Sequence, residues 1–391
     1  MRKLSLILVA ACLALPFSVE AKTLDELLAE KGVVAGGGSA DAGKVYYNGG
    51  TRLEFGDDFS LKMNMIIHSR YQYTQNDGGD DVSEFRIRRA RLSFSGHLLN
   101  KQFSYKLQND FVGTSDSGNA DGRRTEDLRD AWIQWNLDDA AMIRMGQFKT
   151  PFGLQENTSS SALVFVERSD VSNFFIFDRQ MGVMMHGGMD ELGYALGLFN
   201  GDSDGEGRNR RGTDNNHNFF AHGHYNMNGY ERKYEGDPMV TDDFQATFGG
   251  TFEFGQGADG NGDFDEYAFN ADAAIRASGA SAQAEFFFRN RDSDDIADSD
   301  LAEDEATGFY IQGGYTFVPE EWDGHVRFGY ISFDDEDATD NQQEYSGVVN
   351  YYLNGHNLKL QNQITFRVTE FDDSSLDTDD IIYTLNLVGK M

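Results

Sequence analysis

The feature that most limits the fold of this chain is a two-residue alternation of apolar and polar side chains, recurring nearly to the end. Phe244, Ala246, Phe248, Gly250, Phe252 and Phe254 share one parity, while Gln245, Thr247, Gly249, Thr251 and Glu253 share the other. Phe309, Ile311, Gly313, Tyr315 and Phe317 alternate in the same way with Tyr310, Gln312, Gly314 and Thr316. A β-strand sends successive side chains to opposite faces, so each such segment has one oily wall and one wet wall. A soluble sandwich would satisfy that pattern too. Here, however, the connections alternate between short and long, and the chain opens with an export signal. Together these predict an all-β fold: a transmembrane antiparallel β-barrel of about 16 strands, with transport as its function.

The export signal occupies residues 1–21. Arg2 and Lys3 form its positive end, residues 4–17 its apolar run, and Val19-Glu20-Ala21 a small-residue cleavage site. Val9-Ala10-Ala11-Cys12 also resembles a lipoprotein box. Cleavage there would leave an apolar stub where a polar spacer is expected, so removal after Ala21 is the preferred reading. The single cysteine then leaves with the signal, and neither disulfides nor thiol chemistry remain. Residues 22–44 hold a short N-terminal helix at 24–31, capped by Thr23, and a Gly/Ala linker. Residues 45–391 form the barrel, after a short extended piece at 45–55.

No other stretch approaches the roughly 20 apolar residues that a helical span requires. The formal charge is −32, which disfavours nucleic acid as a partner. Much of the acid falls between strands, at 292–305, 334–340 and 370–380, as expected of solvated outer loops. Divalent-cation bridging to anionic lipid headgroups is the sharper alternative for these runs.

Sixteen strands are expected at 59–73, 84–98, 101–112, 127–138, 141–149, 180–189, 193–199, 216–227, 242–255, 264–278, 280–290, 307–317, 322–333, 342–353, 356–369 and 381–388. Asn354-Gly355 is a strong hairpin signal. Short turns at one end and long loops at the other is the outer-membrane arrangement, with both termini periplasmic. Residues 228–241 break the rule, being long where a short turn is due.

Parity assigns the walls. The inner wall collects Lys62, Arg70, Arg89, Arg91, Lys106, Arg276, Arg289, Arg327, Lys359 and Arg367 against Asp110, Asp130, Glu253, Asp272 and Glu285. An acidic protein thus acquires a basic lumen, and a narrow water path between low-dielectric walls responds to local charge. The plainer alternative is that these cations pair with Asp110, Asp130 or loop acids and only solvate the wall. The longest loop, 150–179, carries Arg168 and Arg179 among Leu163, Val164, Phe165, Phe174, Phe175, Ile176 and Phe177. So greasy a segment needs cover. Folding into the barrel would provide it and narrow the pore; packing on a neighbouring subunit is the alternative.

Two other classes of function fit parts of the sequence. For a barrel enzyme, His68, His97, His186, His222 and His224 are available, but no Gly-x-Ser-x-Gly motif accompanies them. The expectation is therefore no catalysis, no cofactor and no metal site, although His222 and His224 share a face. For an adhesive barrel, loops would bind a surface partner or calcium. Asp259-Gly260-Asn261-Gly262-Asp263-Phe264-Asp265 begins like a calcium loop, but Phe264 stands in the glycine position.

Several segments carry a family likeness: Phe85-Arg86-Ile87-Arg88-Arg89-Ala90-Arg91-Leu92, Gly146-Gln147-Phe148-Lys149-Thr150-Pro151-Phe152-Gly153-Leu154-Gln155, Glu167-Arg168-Ser169 and Leu198-Phe199-Asn200-Gly201. From about residue 45 onward the chain resembles the phosphate-selective porin O and P family. The resemblance implies a sixteen-stranded homotrimeric channel in the outer membrane of a Gram-negative bacterium, set among lipid and lipopolysaccharide. It also implies an inward-folded third loop and basic residues that guide small anions, phosphate or polyphosphate, with Arg89, Arg91, Lys149 and Arg168 at matched positions. The set expected to line the pore is Lys62, Arg70, Arg89, Arg91, Lys106, Lys149, Arg168, Arg179 and Arg367. A general non-selective porin remains the alternative. One departure is the end of the chain, Leu385-Asn386-Leu387-Val388-Gly389-Lys390-Met391, which lacks the terminal aromatic usual in such porins.

Overall fold

The computed structural model describes residues 43–77, 79–112, 127–201, 217–259, 262–292, 303–333, 339–372 and 374–391. The expected signal, N-terminal helix and most of the linker lie outside these residues. Two short strands come first, β1 (Lys44–Tyr47) and β2 (Thr51–Phe55), paired as a hairpin. Then follow β3 (Phe59–Gln75), β4 (Val82–Leu98), β5 (Phe103–Asp110), β6 (Asp127–Asn136), β7 (Met142–Lys149) and β8 (Arg179–Met189). Next come β9 (Leu192–Asn200), β10 (His217–Met227), β11 (Gln245–Asp259), β12 (Gly262–Ala277) and β13 (Ala280–Asp292). The last five are β14 (Glu303–Val318), β15 (Trp322–Phe333), β16 (Thr339–Asn354), β17 (Leu358–Phe371) and β18 (Thr378–Lys390).

Strands β3 to β18 each pair antiparallel with the next, and β18 returns to β3 through Ile381↔Gln75 to Lys390↔Ile66. The sheet is therefore a closed sixteen-stranded barrel, as the alternation predicts. Closure leaves the spanning strands without an unpaired edge, which lipid would not tolerate. Because β18 stops opposite Ile66, the first residues of β3 would lack a partner on that side. The β1–β2 hairpin supplies one, pairing Thr51↔Met63 through Phe55↔Phe59.

The two faces obey the predicted parity. Phe309, Ile311, Tyr315 and Phe317 are exposed on the outside, whereas Tyr310, Gln312 and Thr316 are buried within. Ser278 and Gly279, both at positive φ (50° and 84°), make the two-residue turn between β12 and β13, the backbone shape that lets a hairpin follow strand twist. The calcium-like stretch lies at the opposite end, and its residues 260 and 261 fall outside the described residues. There β11 and β12 run on and pair as far as Asp259↔Gly262.

Two segments turn into the barrel. Residues 150–178, between β7 and β8, bury Leu163, Val164, Phe165 and Phe175 and contain two short helices, α1 (Leu154–Asn157) and α2 (Asp170–Phe175). Glu285 of β13 accepts the backbone N–H groups of Leu154 (2.6 Å) and Gln155 (2.7 Å), holding the start of α1. Ser169 caps α2 by accepting from Ser172 N at 2.9 Å. On the far wall, Asn350 and Gln361 donate to Val164 O at 3.0 and 2.9 Å, and Val166 N donates to Gln363 at 2.8 Å. Between this loop and the wall, Phe152, Phe175 and Phe177 of the loop and Phe148, Phe199, Phe220 and Phe287 of the strands form one apolar cluster.

The second inward segment is the anomalous connection, residues 228–244. It enters from the turn end and meets the first. Glu235, buried, accepts from Gln155 Nε2 (2.9 Å) and from Val164 N (2.9 Å), while Tyr230 packs on Leu154 and Ala274. Arg232 pairs with Asp272 at 2.8 Å, and Asp237 accepts from Gly279 N at 2.8 Å. The strand count near it is therefore right, and its length is used to brace the inward loop.

Glu235→Ala removes both acceptors. The expected result is a larger and noisier single-channel conductance, with stability lowered by about 2–4 kcal/mol for two hydrogen bonds to a buried charge. Bilayer recording and urea titration check this; an unchanged conductance would show that the brace does not hold the loop.

Candidate functional site

An open cavity of about 380 Å³ remains between the inward loop and the wall formed by β3, β4, β6 and β15 to β18. Its lining holds nine arginines: Arg70, Arg86, Arg88, Arg89, Arg91, Arg129, Arg168, Arg327 and Arg367. Five carboxylates share it: Glu156, Glu167, Asp170, Asp178 and Glu344.

Strict alternation would not allow such crowding. In β4 the exposed Phe85 and Ile87 put Arg86 and Arg88 inside, yet Arg89 and Arg91 are inside as well. A β-bulge reconciles the two halves. His68 pairs with Arg89 and the following Ser69 pairs with Ile87, so Arg88 is an extra residue in the ladder. Such an insertion resets which face each later side chain takes. The same device recurs in β6, where Gln108 pairs with Asp130 and Asn109 with Leu128, leaving Arg129 as the extra residue. Both Arg129 and Asp130 then face inward and are buried.

At the centre sits Glu167, carried by the inward loop. Its Oε1 accepts from Arg88 Nε (3.1 Å), Arg89 Nη1 (3.0 Å) and Arg70 Nη2, and its Oε2 accepts from Arg89 Nη2 (2.5 Å). One carboxylate thus takes a bidentate fork from Arg89 and single bonds from two more guanidinium groups. Burial alone would push the Glu167 carboxyl up, but Arg89, Arg70 and Arg88 overcome it and hold it well below the usual range. Glu156, where burial opposes Arg168 and Lys149, is brought down to about 2. Asp170 and Arg367 pair at 2.8 Å, and Arg327 pairs with Glu344 at 2.5 Å while lying 4.2 Å over the Phe165 ring.

Of the nine expected cations, Arg70, Arg89, Arg91, Arg168 and Arg367 line this cavity. The other four do not. Lys62 lies against the β1–β2 turn, where a Cβ on Gly50 would stand 2.8 Å from Lys62 Cε. Lys106 is held by Asp130 at 2.5 Å. Lys149 Nζ donates to the backbone oxygens of Glu156 and Thr158, inside the root of the loop. Arg179 is buried between Asp130 (2.9 Å) and Asp178 (3.0 Å). For these the plainer alternative of pairing and packing describes the geometry better, and Arg91 shares it in part through Asp110 at 2.7 Å.

Arg86, Arg88 and Arg129 were missed. The signal was present in β4, because an Arg-Ile-Arg-Arg-Ala-Arg run cannot alternate throughout without an extra residue. Elsewhere, His222 and His224 do share a face, and they bond each other at 3.0 Å. Among the described residues, no group of three or more His, Cys, Asp or Glu side chains is arranged to hold a metal.

A family model described as phosphate-selective porin O and P matches residues 59–380. The chain belongs to that family. A protein of unassigned function from Aquifex aeolicus (strain VF5) is 24% identical over 336 residues, 75% of this chain and 78% of that one. The fold is shared with the anion-selective porin from Comamonas acidovorans (TM-score 0.60, 12% identity, covering 85% of this chain and 100% of that one). It is also shared with the outer membrane channel DcaP of Acinetobacter baumannii (TM-score 0.60, 12% identity, 85% and 98%). A third, OmpT of Vibrio cholerae in its trimer form, has TM-score 0.55 and 10% identity over 85% and 100%. This is accordingly a Gram-negative outer-membrane porin, a channel by family and fold.

The bulge in this porin makes a prediction about deletion. Removing Arg88 irons out the ladder while Arg86, Arg89 and Arg91 all keep their faces, so the variant should fold and migrate as a heat-modifiable barrel. Removing Leu92 instead turns either Arg89 and Arg91, or Ser93 and Ser95, toward lipid, and each arginine at mid-bilayer costs about 2–4 kcal/mol. Equal folding yields for the two deletions would refute the assignment.

Proposed function

We propose that this porin is a passive diffusion channel for small anions, with phosphate or polyphosphate favoured over chloride. The observation that carries the reading is the Arg70, Arg88 and Arg89 set closed on a single carboxylate. Three guanidinium groups converging on two oxygens form a receptor for an oxyanion, since planar forks match carboxylate and phosphate edges. The nine arginines around the same cavity favour anions over cations, because a confined water path is governed by nearby fixed charge.

On this reading Glu167 is a resident competitor. It fills the receptor when no solute is present and offsets the mutual repulsion of the three arginines. An entering phosphate displaces it at part of the site and is then displaced in turn, which limits its residence. The likeness to a porin with a trimer form, together with the family, supports a homotrimer embedded in lipid and lipopolysaccharide. Purification as a heat-sensitive trimeric band would be the corresponding observation.

Planar-bilayer recording tests the solute. In a KCl gradient the reversal potential should report anion preference, and millimolar phosphate should reduce the chloride current. Glu167→Gln should tighten that phosphate block about tenfold, the equivalent of one charge-assisted hydrogen bond of about 1.4 kcal/mol released to the solute. Arg89→Ala should weaken it by a similar factor. A wild-type channel that prefers cations would sink the proposal.

A further inference from the structure

Outside the arginine cavity, the inner wall of β10, β11 and β12 holds a second group of charged and polar side chains that channel function does not use. Asn218, Glu253 and Glu266 come from three adjacent strands and are 3%, 0% and 1% exposed. Register brings them together near the outer end. Gly255 of β11 pairs with Glu266, and Phe219, next to Asn218, pairs with Phe254, next to Gly255. A Cβ added to Gly255 would stand 2.2 Å from Asn218 Oδ1 and 2.7 Å from Glu253 Oε1. Both oxygens therefore lean over a residue with no side chain, where the backbone leaves room.

Four oxygens in this group are buried without a hydrogen-bond donor: both of Glu253, Oε1 of Glu266, and Oδ1 of Asn218. Two arginines of β13 stand beside the site: Arg291, whose Nε lies 2.5 Å from Glu266 Oε2 and leaves Oε1 of that carboxylate undonated, and Arg289, across Ala268 from Glu253, which stacks on Phe174. Beside Glu253, its cross-strand partner Phe220 belongs to the buried phenylalanine cluster, so the surroundings on that side are apolar. A buried carboxylate without a partner costs several kcal/mol. Four undonated oxygens, two of them on one carboxylate, call for something positive between them.

We propose that Asn218 Oδ1, Glu253 and Glu266 Oε1 hold a hard divalent cation of the calcium class. Carboxylate and amide-carbonyl oxygens are the donors such ions select, and imidazole or thiolate, which would favour softer metals, are not among them. A bidentate Glu253 with one oxygen from each neighbour supplies four ligands, and water completes the shell. The ion would pin three strands together near the start of β10 and beneath the root of the inward loop, which touches β11 where Thr251 donates to Pro151 O at 2.9 Å.

The test uses the purified full-length porin, stripped with chelator and dialysed against radioactive calcium. The acidic outer loops will also bind calcium, so the comparison is with Glu253→Gln and Asn218→Ala, each checked for heat-modifiable folding. Each variant is expected to lose one tight ion per chain, with affinity at this site falling on the order of tenfold or more. The calcium-dependent rise in melting temperature should shrink in both. Identical calcium binding in the wild type and both variants would place all the ions on the loops and overturn the site. So would an infrared band of a protonated carboxylic acid, present with calcium at neutral pH and absent from Glu253→Gln, because a proton would then occupy the ion's place. Neither outcome bears on anion selectivity, which is read separately from reversal potentials.

Discussion

A strand in a closed barrel can offer only every second residue to the lumen, and that limit governs how much charge can surround one point. Neighbouring inward residues on a strand are about two rises, roughly 7 Å, apart, too far for two guanidinium groups to share one carboxylate easily. The bulges at Arg88 and Arg129 relax the limit locally. Each places two consecutive residues on the inner face, Arg88 with Arg89 and Arg129 with Asp130. The cost is a disrupted rung of the ladder, which the long flanking strands absorb. The clasp on Glu167 follows directly from the first bulge, since Arg88 Nε and Arg89 Nη1 reach the same oxygen only because both point inward.

The inward loop depends on the barrel in a different way. Its buried backbone cannot reach water, so each polar group needs a partner from the wall or from another loop. Glu285 serves the start of α1, Asn350, Gln361 and Gln363 serve the middle, and Glu235 serves the loop from the turn end. The last of these explains the long 228–244 connection. A two-residue turn would have closed β10 to β11 just as well, but would have left Val164 N without an acceptor and Gln155 Nε2 with only Gln312 Oε1 at 3.3 Å. Arginine also contributes apolar contact here: Arg327 lies over Phe165 and Arg289 lies 4.5 Å over Phe174, so the loop is fixed by stacking as well as by charge.

Much of this was legible from the residues. Sixteen strands fell where alternation placed them, because lipid on one side and water on the other impose the pattern strand after strand. The greasy stretch from Leu163 to Phe177 gave away the inward fold for the same reason. What alternation could not reveal was which inward cations face open water. Lys149 and Arg179 are held by Glu156 and Asp178, which sit on the loop, and pairing across a lumen leaves no trace in local spacing. Arg86, Arg88 and Arg129 were lost because a bulge breaks the very rule used to find the inner wall. The informative sign was the failure of that rule within Arg86-Ile87-Arg88-Arg89-Ala90-Arg91. Similarly, the misfit of residues 228–241 with a short turn marked a real inward segment and not a miscounted strand.

The acidity of the whole chain and the basicity of the cavity are compatible because they act over different ranges. A charge of −32 acts on a distant solute mainly through saline, where fields fade over about 8–10 Å. On the proposed function, a solute inside the barrel meets guanidinium groups at contact distance between walls of low dielectric, and these favour anions. Entry alone does not make a channel, since a solute held too firmly blocks the path. A receptor built of arginines with no counter-charge would retain polyvalent oxyanions. Placing Glu167 in the same grip means that the unoccupied state is already satisfied, so binding exchanges one anion for another instead of filling an empty electrostatic well. On the proposed function, the gain on entry is smaller, release is correspondingly faster, and selectivity survives because the exchange still excludes cations.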